Sequence, residues 1–217
     1  MSKAMLVVHH LRRSQSDRIV WLCEELGLPY ELKLYDRDPT GAAPPAYKSL
    51  HFYGTAPVIQ DGDLVMGESG AIVEYLCRKY GGGRLTVEPN APNFPQYLYW
   101  MHFANGTFIP ALMMARVSAT PAANMTETQW ERLRRRRYDR AFDMAEQRLG
   151  NAPYFGGSQF TAADIMMMFP LTTARLFLPR DISACPNLLA YLQRIATRPA
   201  YRSARDKGDP DLALNLT

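Results

Sequence analysis

The chain has 217 residues, 47% of them apolar, enough for one large core or two smaller ones. Its net charge of +4 is spread along the chain, which gives no sign of a nucleic-acid partner, and no stretch approaches the roughly 20 apolar residues of a membrane-spanning helix. Cys23, Cys77 and Cys185 stand far apart without a Cys-x-x-Cys pair; this fits a reducing compartment, and no metal site is expected. The first apolar run covers only residues 4–8 before His9-His10-Leu11-Arg12-Arg13, too short for a secretory leader, so a cytoplasmic location is expected.

In chain order, residues 5–8 read as a short buried strand, and Ile19, Leu22, Cys23 and Leu26 recur at helical spacing until Gly27 and Pro29 end the run. Residues 30–34 alternate as a strand does, which completes a βαβ unit with parallel pairing. Three prolines and a glycine make residues 36–45 a surface loop. Pro57-Val58-Ile59 and Leu64-Val65-Met66 flank Asp61-Gly62, the composition of a hairpin with a type I′ turn. A helix is expected from Glu68-Ser69, with Ile72, Leu76 and Tyr80 one turn apart, stopped by Gly81-Gly82-Gly83.

Residues 84–95 hold Pro89, Pro92 and Pro95 and read as a linker, after which strand signals cease. A long apolar helix over 97–117, kinked at Pro110, comes next. Thr126-x-x-Gln129 reads as a capping box opening a helix to Leu149-Gly150, and Thr161-Ala162-Ala163-Asp164 as a second one before Ile165-Met166-Met167-Met168-Phe169. Another helix is expected over 188–197, Arg198-Pro199 opens the last, and the tail after Asp206 is expected to be loosely held. The expected fold is an α/β domain of thioredoxin-like βαβ-α-ββα order over 1–83, a linker over 84–95, and an all-α domain over 96–217.

Residues 52–80 concentrate the recognition signals. A helix start presents unpaired N–H groups and the positive end of the helix dipole, and a proline opening a strand is where a cis peptide leaves backbone free for a ligand. Together they suggest a site for a small peptide-like anion. This stretch resembles the glutathione-site half of the glutathione S-transferases, in which a Val/Ala-Pro-hydrophobic segment is followed by Glu-Ser opening a helix. Phe160-Thr161-Ala162-Ala163-Asp164 and Thr197-Arg198-Pro199-Ala200-Tyr201 resemble later motifs of the same family. The similarity runs in order along nearly the whole chain. Its nearest branch is identified as the serine-type bacterial and fungal transferases, through Tyr99-Trp100-Met101-His102-Phe103-Ala104-Asn105-Gly106.

The resemblance implies a dimeric transferase that conjugates the glutathione thiolate to soft hydrophobic electrophiles and can also reduce organic hydroperoxides. Glutathione is then the co-substrate, and no metal, nucleic acid or membrane takes part. A serine four residues before an arginine is the expected thiolate-stabilising hydroxyl, which places it on Ser14 with Arg18 as reference; Ser16 is the rival, and either can instead cap the first helix. Glu68 and Ser69 are expected at the γ-glutamyl end of glutathione, and the backbone of Ala56 before Pro57 at its cysteinyl part. Thr55 stands where relatives often carry lysine, with His51 as a partial substitute at the glycyl carboxylate. Phe103, Thr107 and Phe108 are expected to line an electrophile pocket between the halves. Four consecutive arginines, Arg134 to Arg137, point in all directions of a helix and read as a solvated or subunit-facing surface. The alternative function is a non-catalytic interaction module on the same fold.

Overall fold

The computed structural model describes residues 5–118, 129–213 and 216. The chain forms two compact units, one running to Thr86 and resumed from Ile195, the other spanning Val87 to Arg194.

In the first unit β1 (Leu6–Leu11) pairs in parallel with β2 (Tyr30–Tyr35) across the crossover helix α1 (Asp17–Leu26). β3 (Val58–Asp61) joins the other side of β1 antiparallel, and β4 (Leu64–Met66) completes a sheet of order β2-β1-β3-β4. The short α2 (Pro45–Lys48) and α3 (Ser69–Lys79) supply the remaining parts of the expected βαβ-α-ββα order. β1 is longer than its aliphatic run. It continues through His9 and His10 to Leu11, every residue buried, because both neighbouring strands cover it. The hairpin also differs from the expectation. Asp61 and Leu64 pair, so the turn's central residues are Gly62 and Asp63; only Gly62 has a positive φ (62°), the pattern of a type II′ turn. Asp61 instead anchors the hairpin to α3, accepting hydrogen bonds from Tyr75 (2.7 Å), Lys79 (2.8 Å) and Tyr80 (2.7 Å). At the end of α3, a side chain on Gly81 would put its Cβ 2.7 Å from the Cys77 carbonyl, so the stop there is steric as well as conformational.

The second unit is helical: α4 (Phe94–Phe103), α5 (Ile109–Ser118), α6 (Gln129–Asn151), α7 (Ala162–Leu171) and α8 (Pro186–Ala196), the last residues of α8 passing into the first unit. The single kinked helix expected over 97–117 is two helices joined by a π-helical turn, Ala104–Phe108. Pro110 has no N–H to give its own turn, and the preceding Ile109 N–H reaches back to the Ala104 carbonyl, one residue further than in an α-helix. Thr126 of the first expected capping box lies outside the described residues. The second box is complete. Asp164, without exposed surface, accepts from Thr161 N (2.8 Å) and Oγ1 (3.1 Å), Phe155 N (2.9 Å) and the Tyr191 hydroxyl (3.2 Å). Around it Trp100, Phe103, Phe108, Phe142, Phe155 and Tyr191 meet in ring contacts that form the centre of this unit's core.

α9 (Pro199–Gly208) belongs to the first unit and packs on α1. Trp21 meets Tyr201 edge-on at 4.9 Å, Arg198 grips Glu25 with two bonds of 2.6 and 2.7 Å, and Glu24 accepts from Ser203 and Lys207. The expected loose tail after Asp206 is corrected for its first residues, while 214, 215 and 217 lie outside the described residues. The helix runs to Gly208, and Asp209 is 96% buried, its carboxylate taken by His10 Nε2 (3.1 Å) and the Arg13 N–H (3.0 Å).

Candidate functional site

The candidate site lies in the first unit, where the turn after β1 and the start of α3 come together. Arg13 adopts a left-handed backbone (φ 56°) as the chain leaves the sheet. Ser14 and Ser16 follow, with their hydroxyl oxygens 2.8 Å apart. Neither serine caps α1 by its side chain: Ser16 is at the N-cap but its hydroxyl contacts His10 Nδ1 (2.8 Å) and the Leu11 carbonyl (3.2 Å). Ser16 has no exposed surface, and Ser14 is 6% exposed, the outer of the two.

Arg18 was only a spacing reference in the sequence, yet it joins two parts of the site. Its Nη1 donates to Gln15 Oε1 (2.6 Å) and to Ser69 Oγ (3.0 Å), so one buried guanidinium holds the serine turn against the start of α3. Burial pulls its pKa down to about 10, with Asp17 opposing, and it keeps its charge at neutral pH. Arginine inside the otherwise apolar face of α1 was the available signal for this role.

Glu68 and Ser69 adjoin at the start of α3. Glu68 holds a left-handed φ of 66°, and its exposed carboxylate has no hydrogen-bond partner among the described residues. Ser69 is buried and accepts from Arg18, at the end of α3 where the first helical N–H groups have no partner within the helix. His51 is brought beside this corner, since a Cβ on Gly67 would sit 3.4 Å from its ring. The Ala56–Pro57 bond is cis. Ala56 precedes the paired residues of β3, and its methyl packs on the Leu11, Tyr47 and Val58 cluster, a structural task beyond the backbone role expected of it. Thr55 is exposed.

In the helical unit, Phe103 and Thr107 line a cavity of about 500 Å³ with Pro110 and Met114 on one side and Arg136, Arg137 and Arg140 on the other. The π-turn places Thr107 there. Phe108 takes the opposite direction: it is fully buried against Phe103, Tyr138 and Phe142 and belongs to the core. Two of the four consecutive arginines thus border a cavity. Among the described residues no cluster of His, Cys, Asp and Glu is arranged to hold a metal ion, and no helix is long and apolar enough to cross a membrane.

The N-terminal domain of the glutathione S-transferases matches residues 13–79 and their C-terminal domain residues 127–194. Glutathione S-transferase 3 of Schizosaccharomyces pombe is 36% identical over 94% of this chain and 88% of its own. A glutathione S-transferase structure from Actinobacillus pleuropneumoniae superposes with a TM-score of 0.85 at 35% identity, covering 98% of this chain and 99% of that one. The theta-class transferase of Xanthomonas axonopodis pv. citri, solved with glutathione bound, gives a TM-score of 0.71 at 27% identity over 99% of this chain and 100% of its own. The chain belongs to the glutathione S-transferase family and is a glutathione transferase by class.

Proposed function

We propose that the protein conjugates the glutathione thiolate to soft hydrophobic electrophiles, with Ser14 as the hydroxyl that donates to sulfur. The observation that carries this reading is the placement of Ser14 at the outer end of a buried hydrogen-bonded set, tied through Gln15 and Arg18 to the Glu68–Ser69 corner. A free thiol has a pKa of about 8.5, and each unit of lowering requires about 1.4 kcal/mol of preference for the thiolate. One hydroxyl donating to sulfur near the N-terminus of α1 supplies a stabilisation of that order. Glu68 receives the γ-glutamyl ammonium, Ser69 and the first N–H groups of α3 its carboxylate, and the Ala56 backbone the cysteinyl part. Thr55 and His51 stand at the glycyl end. The acceptor is held by Phe103 and Thr107 of the helical unit.

The same thiolate can attack a hydroperoxide oxygen. That step forms a glutathione sulfenic acid and releases an alcohol, and a second glutathione then displaces water to give the disulfide. The reading includes a cytoplasmic homodimer, to be tested by light scattering of the purified protein and by cell fractionation.

The test is retention on immobilised glutathione followed by turnover of a chlorinated dinitro-aromatic. Ser14→Ala should lower kcat roughly 10- to 100-fold while glutathione still binds. A damaging Ser16→Ala beside a neutral Ser14→Ala would transfer the role to Ser16. Retention without turnover of any electrophile or hydroperoxide would make the chain a non-catalytic binding module.

A further inference from the structure

Behind Ser14 stands a single file of hydrogen bonds that ends on the last helix. Ser14 Oγ meets Ser16 Oγ at 2.8 Å, Ser16 Oγ meets His10 Nδ1 at 2.8 Å, and His10 Nε2 meets Asp209 Oδ2 at 3.1 Å. Ser16 and His10 have no exposed surface, Asp209 is 4% exposed and Ser14 6%; on the proposed function Ser14 is the end toward glutathione. The position of His10 is tight, because a Cβ on Gly208 would lie 3.0 Å from its Nε2.

Such a file has a direction. Asp209 accepts at both oxygens, one from the Arg13 N–H and the other from His10, so Nε2 carries a hydrogen. The direction then depends on Nδ1. If Nδ1 is bare, Ser16 gives it its only hydrogen, Ser14 must give its own to Ser16, and none is left for a thiolate. If His10 is an imidazolium, Nδ1–H donates to Ser16, whose own hydrogen has two acceptors in reach, Ser14 Oγ at 2.8 Å and the Leu11 carbonyl at 3.2 Å; the shorter contact directs it onward to Ser14. Ser14 also accepts the Ser16 N–H at 3.2 Å, which leaves its own hydrogen to point out of the file. In that case Asp209, 3.1 Å from Nε2, is the counter-charge. Burial raises its pKa, but the hydrogen bond and charge of His10, with the Arg13 N–H and Arg205, hold it below the ordinary carboxylate value. Asp17 of α1 and Arg205 of α9 are further charges acting on this pair, of opposite sign to one another, and Arg18 acts on Asp17 in turn.

We propose that the buried His10–Asp209 pair is a positioning device that acts through Ser16 to turn the Ser14 hydroxyl hydrogen outward, onto the sulfur of glutathione. The inference rests on Ser14 as the thiolate-stabilising group. Neither His10 nor Asp209 touches the substrate in this scheme. Their effect is on the direction and strength of one hydrogen bond, since each donor in the file polarises the next.

The experiment is a pH titration of the thiolate absorbance of glutathione bound to the full chain, with kcat and KM, for the wild type and for Ser14→Ala, Ser16→Ala, Asp209→Asn and Asp209→Ala. Ser16→Ala removes one small buried oxygen. It should raise the pKa of the bound thiol by about half a unit to one unit and lower kcat roughly 3- to 10-fold, with KM for glutathione within about twofold. Asp209→Asn has a distinctive expectation. Its oxygen must still accept the Arg13 N–H, so its NH₂ faces Nε2 and forces the hydrogen of a neutral ring onto Nδ1. That variant therefore keeps the direction of the file and should keep a lower thiol pKa than Asp209→Ala. The inference is overturned if Ser14→Ala raises the thiol pKa but Ser16→Ala leaves it unchanged or lowers it, or if Asp209→Asn is no better than Asp209→Ala; the Ser14 reading survives either result. A thiol pKa unmoved by Ser14→Ala overturns the Ser14 reading and this inference with it.

Discussion

Glu68 occupies a backbone conformation that an ordinary residue avoids. A left-handed φ of 66° on a non-glycine residue costs on the order of 1 kcal/mol or more, and here it serves an exposed carboxylate without a partner among the described residues. Two substitutions separate the cost from the purpose. Glu68→Gln keeps the shape and removes the charge; if Glu68 binds the γ-glutamyl ammonium as proposed, loss of that charge-assisted bond should raise KM for glutathione by about 10-fold or more while kcat changes little. Glu68→Gly removes the strain and the carboxylate together, so thermal unfolding should move up by a few degrees while, on the proposed role, glutathione affinity falls. A Glu68→Gly variant that is less stable than the wild type would mean that the side chain has a structural task. Ser14 and Glu68-Ser69 became candidates in the sequence through local signals, the family's serine four positions before Arg18 and a helix start. His10 and Asp209 did not, because their contact joins positions 199 residues apart. The polar pair His9-His10 also interrupted the apolar run by which β1 was recognised, although the strand continues through both.

At the scale of elements, caps and glycines marked most boundaries correctly, and the Thr161–Asp164 box is the clearest case. The Pro110 kink was legible as a position but not as a form, since a missing N–H can be absorbed by a bend, a break or, as here, a π-turn. Asp164 also contributes a pH-dependence to the stability of the helical unit. Burial raises its pKa to about 6 from an ordinary 3.8, against the opposing effect of its hydrogen bonds from Phe155, Thr161 and Tyr191. The fold therefore holds a proton that the unfolded chain releases. The contribution to stability is fully present below about pH 4 and is lost as pH rises through about 6. Asp164→Asn cannot titrate and turns an NH₂ group toward donors, leaving at least one of them unpaired at a cost of about 1–3 kcal/mol. Urea unfolding should show the wild type more stable at every pH, with its margin over Asp164→Asn narrowing between pH 4 and 7. A margin that widens over that range would reverse the assigned direction of the shift.

For the molecule as a whole, the decisive feature is that the sheet unit is completed by the last helix. Tyr201, Ala204, Arg205 and Gly208 are the buried positions of α9 and recur at i, i+3, i+4 and i+7. That periodicity was present in the sequence, but two small residues, an arginine and one aromatic ring do not read as an apolar stripe. Without α9, Trp21 loses the ring against which it packs, and Glu24 and Glu25 lose Ser203, Lys207 and the fork of Arg198. Excision of the first 86 residues as a glutathione-binding domain should therefore fail. A chain ended at Arg194 should unfold more than about 10 °C below the full chain, because it exposes Trp21 and unpairs two partly buried carboxylates together. Arg198→Met is the milder counterpart, removing only the bidentate pair with Glu25, for a cost of about 1–3 kcal/mol. If the chain ended at Arg194 melts with the full chain and still binds immobilised glutathione, α9 is an accessory to the sheet unit. If it melts early and Arg198→Met follows part of the way, the last helix is part of the sheet unit's core, and the unit is stable only once α9 has joined it.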